Sequence, residues 1–136
     1  MHSNVPNTLR SHQMKVTPQR LAIASIVFAK TQHISAKQVK EQLKENFPSL
    51  SLNTIYLTLQ QFSKVGLLHE VITSKRTLFD SNTSQHDHAE CESCGALIDI
   101  PSQQPQQASA LADWKITHIH CIWRGLCPKC KPPHDI

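Results

Sequence analysis

The chain has 136 residues and a net charge of +4, with 39% apolar and 18% charged residues, which is typical of a globular protein of one or two small domains. Its apolar runs are too short to span a bilayer, and the N-terminus lacks an apolar signal region, so we expect neither a membrane protein nor a secreted one. The phosphate-loop motifs GxGxxG and GxxxxGK[ST] are absent, as are the hydrolase motifs GxSxG and HExxH.

The charge is unevenly distributed along the chain. Residues 1–79 hold ten Lys or Arg and three Asp or Glu, whereas residues 80–136 hold four and seven. All five cysteines lie in the second part. A basic half is typical of proteins that bind a polyanion, although the charge alone favours a solvated basic surface.

The basic half is predicted to contain three helices. Thr17, Ser35 and Ser51 are the expected N-caps, because each precedes apolar residues at helical spacing. Ser35 also begins a capping-box pattern, and Gly66 is a plausible end for the third helix. The third helix is predicted to turn one apolar stripe inward, formed by Leu52, Ile55, Leu59 and Phe62.

Two short strands, Leu67–Ile72 and Thr77–Phe79, are predicted after the third helix. Three helices followed by a hairpin indicate a winged helix, in which the third helix enters the major groove of duplex DNA. Lys64, Lys75 and Arg76 suit phosphates, and Arg20 is a further candidate for contact with DNA. The outer face of the third helix offers polar groups to base edges, namely Asn53, Thr54, Tyr56, Thr58, Gln60 and Gln61. The alternative is a small helical domain with a solvated face.

The acidic half is predicted to be a separate α/β domain. We expect a winged-helix domain over residues 1–79, a hinge over 80–85 and a second domain over 86–136, because residues 81–85 are entirely polar. The predicted elements of the second domain are strands His86–Glu90 and Ala96–Ile100, a short helix Gln106–Asp113, and a strand Ile116–Trp123. The expected fold class is α+β.

Two CxxC pairs suggest a structural metal. Cys91 and Cys94 form one pair, and Cys127 and Cys130 form the other. Four thiolates complete a tetrahedral shell that favours zinc and leaves no position open for catalysis. The alternatives are a pair of disulfides and a redox CxxC, and disulfides fit poorly with a chain that lacks a secretion signal. The fifth cysteine, Cys121, is interpreted as a small buried apolar residue.

A second group of candidate ligands contains nitrogen and oxygen only. His86 and His88 are two residues apart, so in a strand both rings project from one face. Asp80, Asp99 and His33 are further candidates, and a site that includes His33 would use both halves of the chain. Such a ligand set suits Fe(II), Mn(II) or Zn(II). The alternative is a histidine pair that binds no metal.

The chain resembles the ferric uptake regulator (Fur) superfamily of bacterial metal-dependent repressors, over about residues 8–131. The resemblance implies a cytoplasmic homodimer that binds operator DNA, with an N-terminal winged helix and a C-terminal α/β dimerisation domain. It also implies one structural Zn²⁺ and one regulatory metal per chain. The motifs that carry the resemblance are TPQR (17–20), SLNTIY (51–56), FD (79–80), HDHAECESCG (86–95) and the terminal CxxC.

The regulatory ligands implied by the resemblance are His33, Asp80, His86, His88 and Asp99. Aspartate at both carboxylate positions is similar to the peroxide-sensing branch, called PerR. In that branch, bound Fe²⁺ reacts with hydrogen peroxide and a ligand histidine gains oxygen, after which the repressor leaves DNA. Mn²⁺ gives a repressor that is insensitive to peroxide. The resemblance makes His33 and His86 the oxidisable pair.

Three departures from the family pattern bear on these expectations. Gln60 stands where peroxide sensors often have Arg, so the operator can differ. Ile119 and Gln103 replace a frequent His and a frequent acidic residue, which argues against an additional metal site.

The leading hypothesis, based on the regulatory ligand set, is a peroxide-sensing repressor rather than an enzyme. The alternatives are a pure sensor of iron, manganese or zinc, a non-haem metalloenzyme, and a zinc-stabilised interaction module.

Overall fold

The computed structural model describes residues 4–102, 109–116 and 119–133. The chain forms two compact units, Met1–Thr83 and Ser84–Ile136. The predicted hinge includes the boundary between them, but Asp80 is the last residue of a strand in the first unit. None of the described helices is both long and apolar enough to cross a membrane.

Four helices form most of the first unit. Three begin at the predicted caps, where Thr17, Ser35 and Ser51 accept hydrogen bonds from backbone N–H groups three residues ahead, each at 3.1 Å. Ser35 and Gln38 form the predicted capping box. The first helix was not predicted, since only two apolar residues, Val5 and Leu9, mark its inner side. The helices are α1 (Val5–Ser11), α2 (Pro18–Val27), α3 (Ala36–Leu43) and α4 (Leu52–Lys64).

A three-stranded antiparallel sheet completes the first unit. Its strands are β1 (His33–Ile34), β2 (His69–Ile72) and β3 (Thr77–Asp80), in the order β1-β3-β2. The hairpin β2–β3 is the predicted wing, whereas β1 was not predicted because two residues carry no periodic pattern. Helices α2–α4 and this sheet form the expected winged helix.

The core of the first unit lies against the inner face of α4. Ile55, Leu59 and Phe62 are fully buried, as the sequence predicts. Leu52 is 44% exposed, so its predicted inward position is wrong. Thr58 was predicted on the outer face, but it is only 8% exposed and its hydroxyl donates to the carbonyl of Thr54. Burial of Thr58 is tolerated because its hydroxyl already has a hydrogen-bond partner on the same helix.

The second unit contains a mixed sheet. Its strands are β4 (His86–Cys91), β5 (Leu97–Pro101) and β6 (Ile122–Gly125), with β4 in the centre. β4 pairs antiparallel with β5 and parallel with β6. The two units together give the expected α+β class.

Two predictions in the second unit fail within the described residues. The predicted strand Ile116–Trp123 contributes only its last two residues to a strand, since β6 begins at Ile122. The predicted helix Gln106–Asp113 is partly outside the described residues, and its described part contains the 3-10 turn Ser109–Leu111. Gln103 and residues 117–118 also lie outside the described residues.

Candidate functional site

The four predicted cysteines of the second unit form one cluster. The Sγ atoms of Cys91, Cys94, Cys127 and Cys130 all lie within 4.8 Å of one another. Parallel pairing of β4 with β6 places Gly125 opposite Cys91, which carries the second CxxC pair to the first. Each pair sits in a tight turn, closed by hydrogen bonds from the N–H of Gly95 to the Cys91 carbonyl and of Cys130 to the Cys127 carbonyl, both 2.9 Å.

Backbone donors prepare this cluster for a cation. The Sγ of Cys91 accepts the N–H groups of Cys127 and Cys94, both at 3.4 Å. These two donors lower the pKa of Cys91 to about 6, so its thiolate is available at neutral pH. A hydrogen bond with the Cys127 sulfur raises the pKa of Cys130 to about 11, because it stabilises the protonated thiol. A divalent cation bound to all four sulfurs would favour their thiolate forms instead.

The donor set of the cluster fits zinc. Four sulfur atoms match the soft, tetrahedral shell of a structural Zn²⁺ site, and they leave no open position for a substrate. Gly95 supports the first turn, since its φ of +80° lies in the left-handed region that favours glycine. The predicted Zn²⁺ site therefore has both the ligands and the local backbone that it needs.

In the first unit, His33 and Asp80 lie side by side. They are directly paired residues of β1 and β3, and His33 Nε2 lies 3.3 Å from Asp80 Oδ2. Asp80 is fully buried, and its other oxygen accepts the N–H of Asn82 at 2.9 Å. A buried carboxylate needs such partners, and its position is therefore well defined.

In the second unit, His86, His88 and Asp99 converge. His86 and His88 point to one face of β4, and Asp99 lies directly opposite His88 on β5. Asp99 Oδ1 is 3.4 Å from His86 Nε2 and 3.3 Å from His88 Nε2, and the two nitrogens are 3.2 Å apart. Both rings are buried, whereas the Asp99 side chain is 35% exposed.

The tautomer of His86 follows from its surroundings. Its Nδ1 lies 2.7 Å from the carbonyl oxygen of Ser84, which can only accept a hydrogen bond. The Nδ1 therefore carries the proton, and in the neutral ring Nε2 presents its lone pair toward His88 and Asp99. Lewis-basic atoms that converge in this way are suited to a cation, and a backbone carbonyl behind a ligand histidine is a common orienting partner.

The neighbours that hold β4 were not predicted from the sequence. Asp87 is 2% exposed and accepts the indole N–H of Trp123 at 3.2 Å. Glu90 is 3% exposed and accepts from Arg124 Nε at 2.9 Å. Burial, with the nearby Asp87 carboxylate, raises the pKa of the Cys121 thiol, which therefore remains protonated. These contacts depend on the register of β4 and β6, which no local pattern reveals.

The predicted DNA-contact residues differ in exposure. Asn53, Thr54, Gln61 and Lys64 are exposed, Tyr56 and Gln60 are half-buried, and Thr58 is buried. The guanidinium of Arg20 donates to the carbonyl of Lys15 at 2.8 Å and to the side chain of Gln61 at 3.3 Å. Thus α4 presents polar groups along one exposed side, with a cation from α2 beside them.

Comparison with known proteins gives a consistent result. Residues 11–122 match the family described as "Ferric uptake regulator family". The chain is 33% identical, over 91% of its length and 87% of the relative's, to the peroxide-responsive repressor PerR of Staphylococcus saprophyticus.

Two solved structures have the same fold. The ferric uptake regulator of Vibrio cholerae is 26% identical, with a TM-score of 0.70 over 89% of this chain and 98% of that one. PerR from Streptococcus pyogenes, whose structure addresses peroxide sensing and gene regulation, is 32% identical, with a TM-score of 0.53 over 96% and 92%. With its family match and its four-cysteine and His/Asp groups, the chain belongs to the ferric uptake regulator family of metal-responsive transcription regulators.

Proposed function

We propose that this protein is a dimeric, metal-dependent repressor that releases operator DNA when hydrogen peroxide oxidises a ligand histidine. The observation that carries the proposal is the convergence of His86 and His88 on one carboxylate oxygen of Asp99, within 3.4 Å. The PerR relatives support the same conclusion. Imidazole and carboxylate ligands without a thiolate suit Fe²⁺ and Mn²⁺.

The proposed regulatory ion takes ligands from both units. His33 and Asp80 belong to the first unit, and His86, His88 and Asp99 to the second. An ion bound by all five favours one arrangement of the units, and DNA that selects the same arrangement is thereby coupled to metal. One such Fe²⁺ or Mn²⁺ binds per chain, in addition to the Zn²⁺ of the four cysteines.

Backbone groups have defined roles in the proposed sensing step. The backbone N–H of Asn82 holds the Asp80 carboxylate, and the backbone carbonyl of Ser84 holds the His86 ring, so both ligands are fixed before the ion binds. Fe²⁺, when bound, would catalyse the oxidation of a ligand histidine by peroxide, whereas Mn²⁺ would not. One peroxide oxygen would be inserted into a ring C–H bond of His33 or His86 and the other would leave as water, so the ring would lose the two electrons that peroxide gains. The oxidised ring would hold the ion less tightly. The coupling to DNA is then lost.

The proposed DNA-binding surface is the exposed side of α4 together with the wing. Asn53, Thr54 and Gln61 suit base edges, while Arg20 and Lys64 suit phosphates.

The proposed dimer surface belongs to the second unit. There, Ile98, Trp123 and Leu126 are 47–58% exposed, and a second copy of the chain is the proposed partner of these apolar side chains.

A peroxide challenge tests the sensing step. Protein loaded with Fe²⁺ and protein loaded with Mn²⁺ are treated with hydrogen peroxide, and mass spectrometry follows the peptides that hold His33, His86 and His88. We expect one added oxygen on His33 or His86 in the iron sample alone. His12 is an internal control, because this histidine belongs to neither ligand group, and fragment ions must distinguish its ring from Met14, which peroxide oxidises directly.

The same experiment distinguishes a peroxide sensor from the second candidate function, a metal sensor without a peroxide response. If no ligand histidine is oxidised while bound metal is verified, the protein is a pure sensor of iron, manganese or zinc. The variant Asp99→Glu sharpens the test, since an added methylene displaces the carboxylate that faces both histidines. We expect reduced histidine oxidation in this variant, and unchanged oxidation would contradict the role of Asp99.

A further inference from the structure

Tyr56 on α4 is tied to the wing by its hydroxyl group. The hydroxyl donates a hydrogen bond to Glu70 Oε1 on β2, at 3.1 Å. An ionised carboxylate offers acceptors only, so the direction of this hydrogen bond is fixed. The Tyr56 proton is therefore committed to Glu70, and the lone pairs of the hydroxyl oxygen are left for another partner.

The ring of Tyr56 is held from the same strand pair. Phe79, which is fully buried, makes an edge contact with the ring, with a centroid distance of 5.8 Å and an interplanar angle of 72°. Phe79 and Glu70 are directly opposite each other on β3 and β2. Paired residues of antiparallel strands share a face. One cross-strand pair therefore contacts both the ring and the hydroxyl group of Tyr56.

Tyr56 also borders an open cleft of about 540 Å³ on the surface of the first unit. Asn53 of α4, Lys37 of α3 and Thr77 of β3 line the same cleft. The side chain is thus accessible to a ligand that lies along the exposed side of α4, even though its ring is half-buried.

The charge of Glu70 is unusual in its surroundings. Among residues 1–79, only three are acidic against ten Lys or Arg. A carboxylate near a phosphate backbone opposes binding to DNA of any sequence. Glu70 therefore weakens overall affinity for DNA, yet it binds the hydroxyl of Tyr56, a candidate for contact with bases. A role in discriminating between DNA sequences explains its presence better than a role in affinity.

We propose that Glu70 is a positioning residue that makes Tyr56 a hydrogen-bond acceptor toward DNA, an inference that rests on the proposed function of α4. In the major groove, the exocyclic amino groups of adenine and cytosine are donors, while guanine and thymine present acceptors at the corresponding positions. Tyr56 held in this way selects a base with an amino group. Phosphate oxygens are acceptors, so they cannot form a hydrogen bond with a hydroxyl that already donates its proton to Glu70.

The test uses full-length protein loaded with Mn²⁺ and a randomised duplex library. Wild-type protein first selects its preferred duplex, and the affinity for that duplex is then divided by the affinity for a shuffled duplex of equal composition. Tyr56→Phe is expected to lower this ratio about threefold to tenfold, as the loss of one hydrogen bond does. Glu70→Ala is expected to lower it by the same factor, and the double variant by no more than either single one.

Two variants separate the positioning of Tyr56 by Glu70 from the effect of the Glu70 charge. Glu70→Gln retains an acceptor oxygen for Tyr56, so we expect it to keep most of the wild-type ratio while binding both duplexes more tightly. Glu45→Ala removes an exposed acidic side chain elsewhere in the same unit and should leave the ratio unchanged. A ratio that falls with Tyr56→Phe but not with Glu70→Ala would overturn the inference while leaving the function of α4 intact. Wild-type protein that enriches no duplex would overturn both.

Discussion

The two units of this chain bury different kinds of side chain. In the first unit, a continuous apolar core extends from Leu9 to Phe79. In the described part of the second unit, every buried residue lies on β4, and four of the five are ionisable His, Asp or Glu side chains, the fifth being Cys91. Large apolar side chains of that unit, such as Trp114 and Trp123, are more than half exposed.

This difference indicates how each unit is stabilised. Apolar burial drives the folding of the first unit. Buried ionisable groups contribute little net stability and become costly when a partner is lost. We therefore expect the second unit to depend on the metal ions and on the partner subunit that we propose for it, the partner covering its exposed apolar side chains. Both tryptophans belong to the second unit, and all four α-helices of the described residues belong to the first, so fluorescence and helical circular dichroism report on the two units separately.

The largest expected effect is the loss of the structural zinc. Cys94→Ser removes one of four sulfur ligands, and we expect the variant to release Zn²⁺, unfold the second unit and lose the dimer. Structural zinc sites contribute roughly 10–16 kcal/mol to the folding of small domains. Metal analysis, tryptophan fluorescence and sedimentation measure the three outcomes, while the helical signal of the first unit should persist.

Cys121→Ser is the matched control for this prediction. Cys121 lies outside the four-cysteine cluster, beside Asp87, and a serine hydroxyl can replace its thiol as a donor. This variant should keep zinc and a native tryptophan spectrum. A zinc-free Cys94→Ser dimer with native fluorescence would refute the assignment of these thiols to a structural role.

A smaller effect is expected from a cavity in the first unit. Leu59 is fully buried, and Leu59→Ala should lower the free energy of unfolding of this unit by about 2–5 kcal/mol. Leu57, two residues away on the same helix, is 50% exposed, and Leu57→Ala should change it by no more than about 0.5 kcal/mol. Urea titration followed by helical circular dichroism measures both, and equal losses would contradict the packing of α4 described above.

The sequence predictions succeeded where an element depends on residues close in sequence, and they failed where it depends on residues far apart in sequence. The caps at Thr17, Ser35 and Ser51 depend on neighbours three residues away, and all three were predicted correctly. The four-cysteine cluster was predictable because each CxxC pair is local. The extent of β6 was not, since its residues pair in parallel with a strand more than 30 positions earlier.

Register also explains which neighbours of the candidate ligands were missed. His69 lies directly opposite Asp80 on β2, and His33 lies opposite it on β1. Nothing in the sequence around His69 indicates this position, because it arises only when the wing is paired. Glu70, which holds the hydroxyl of Tyr56, was missed for the same reason.

The smallest expected effect concerns the cap that follows β1. Ser35 accepts the N–H of Gln38 at 3.1 Å, and the Gln38 side chain accepts the N–H of Ser35 at 2.8 Å. Ser35→Ala removes the first of these bonds and should cost the first unit about 1 kcal/mol. Ser25→Ala is the same chemical change within α2, where the hydroxyl only donates back to the Leu21 carbonyl.

Because alanine is the better helix former at such an interior position, Ser25→Ala should leave stability unchanged or slightly increased. Urea titration with circular dichroism compares the two variants, while tryptophan fluorescence should show the same unfolding of the second unit in both. If Ser35→Ala also shifted the fluorescence transition, the two units would unfold as one. The contrast between an apolar and an ionisable interior would then describe two parts of one cooperative structure rather than two separately stabilised units.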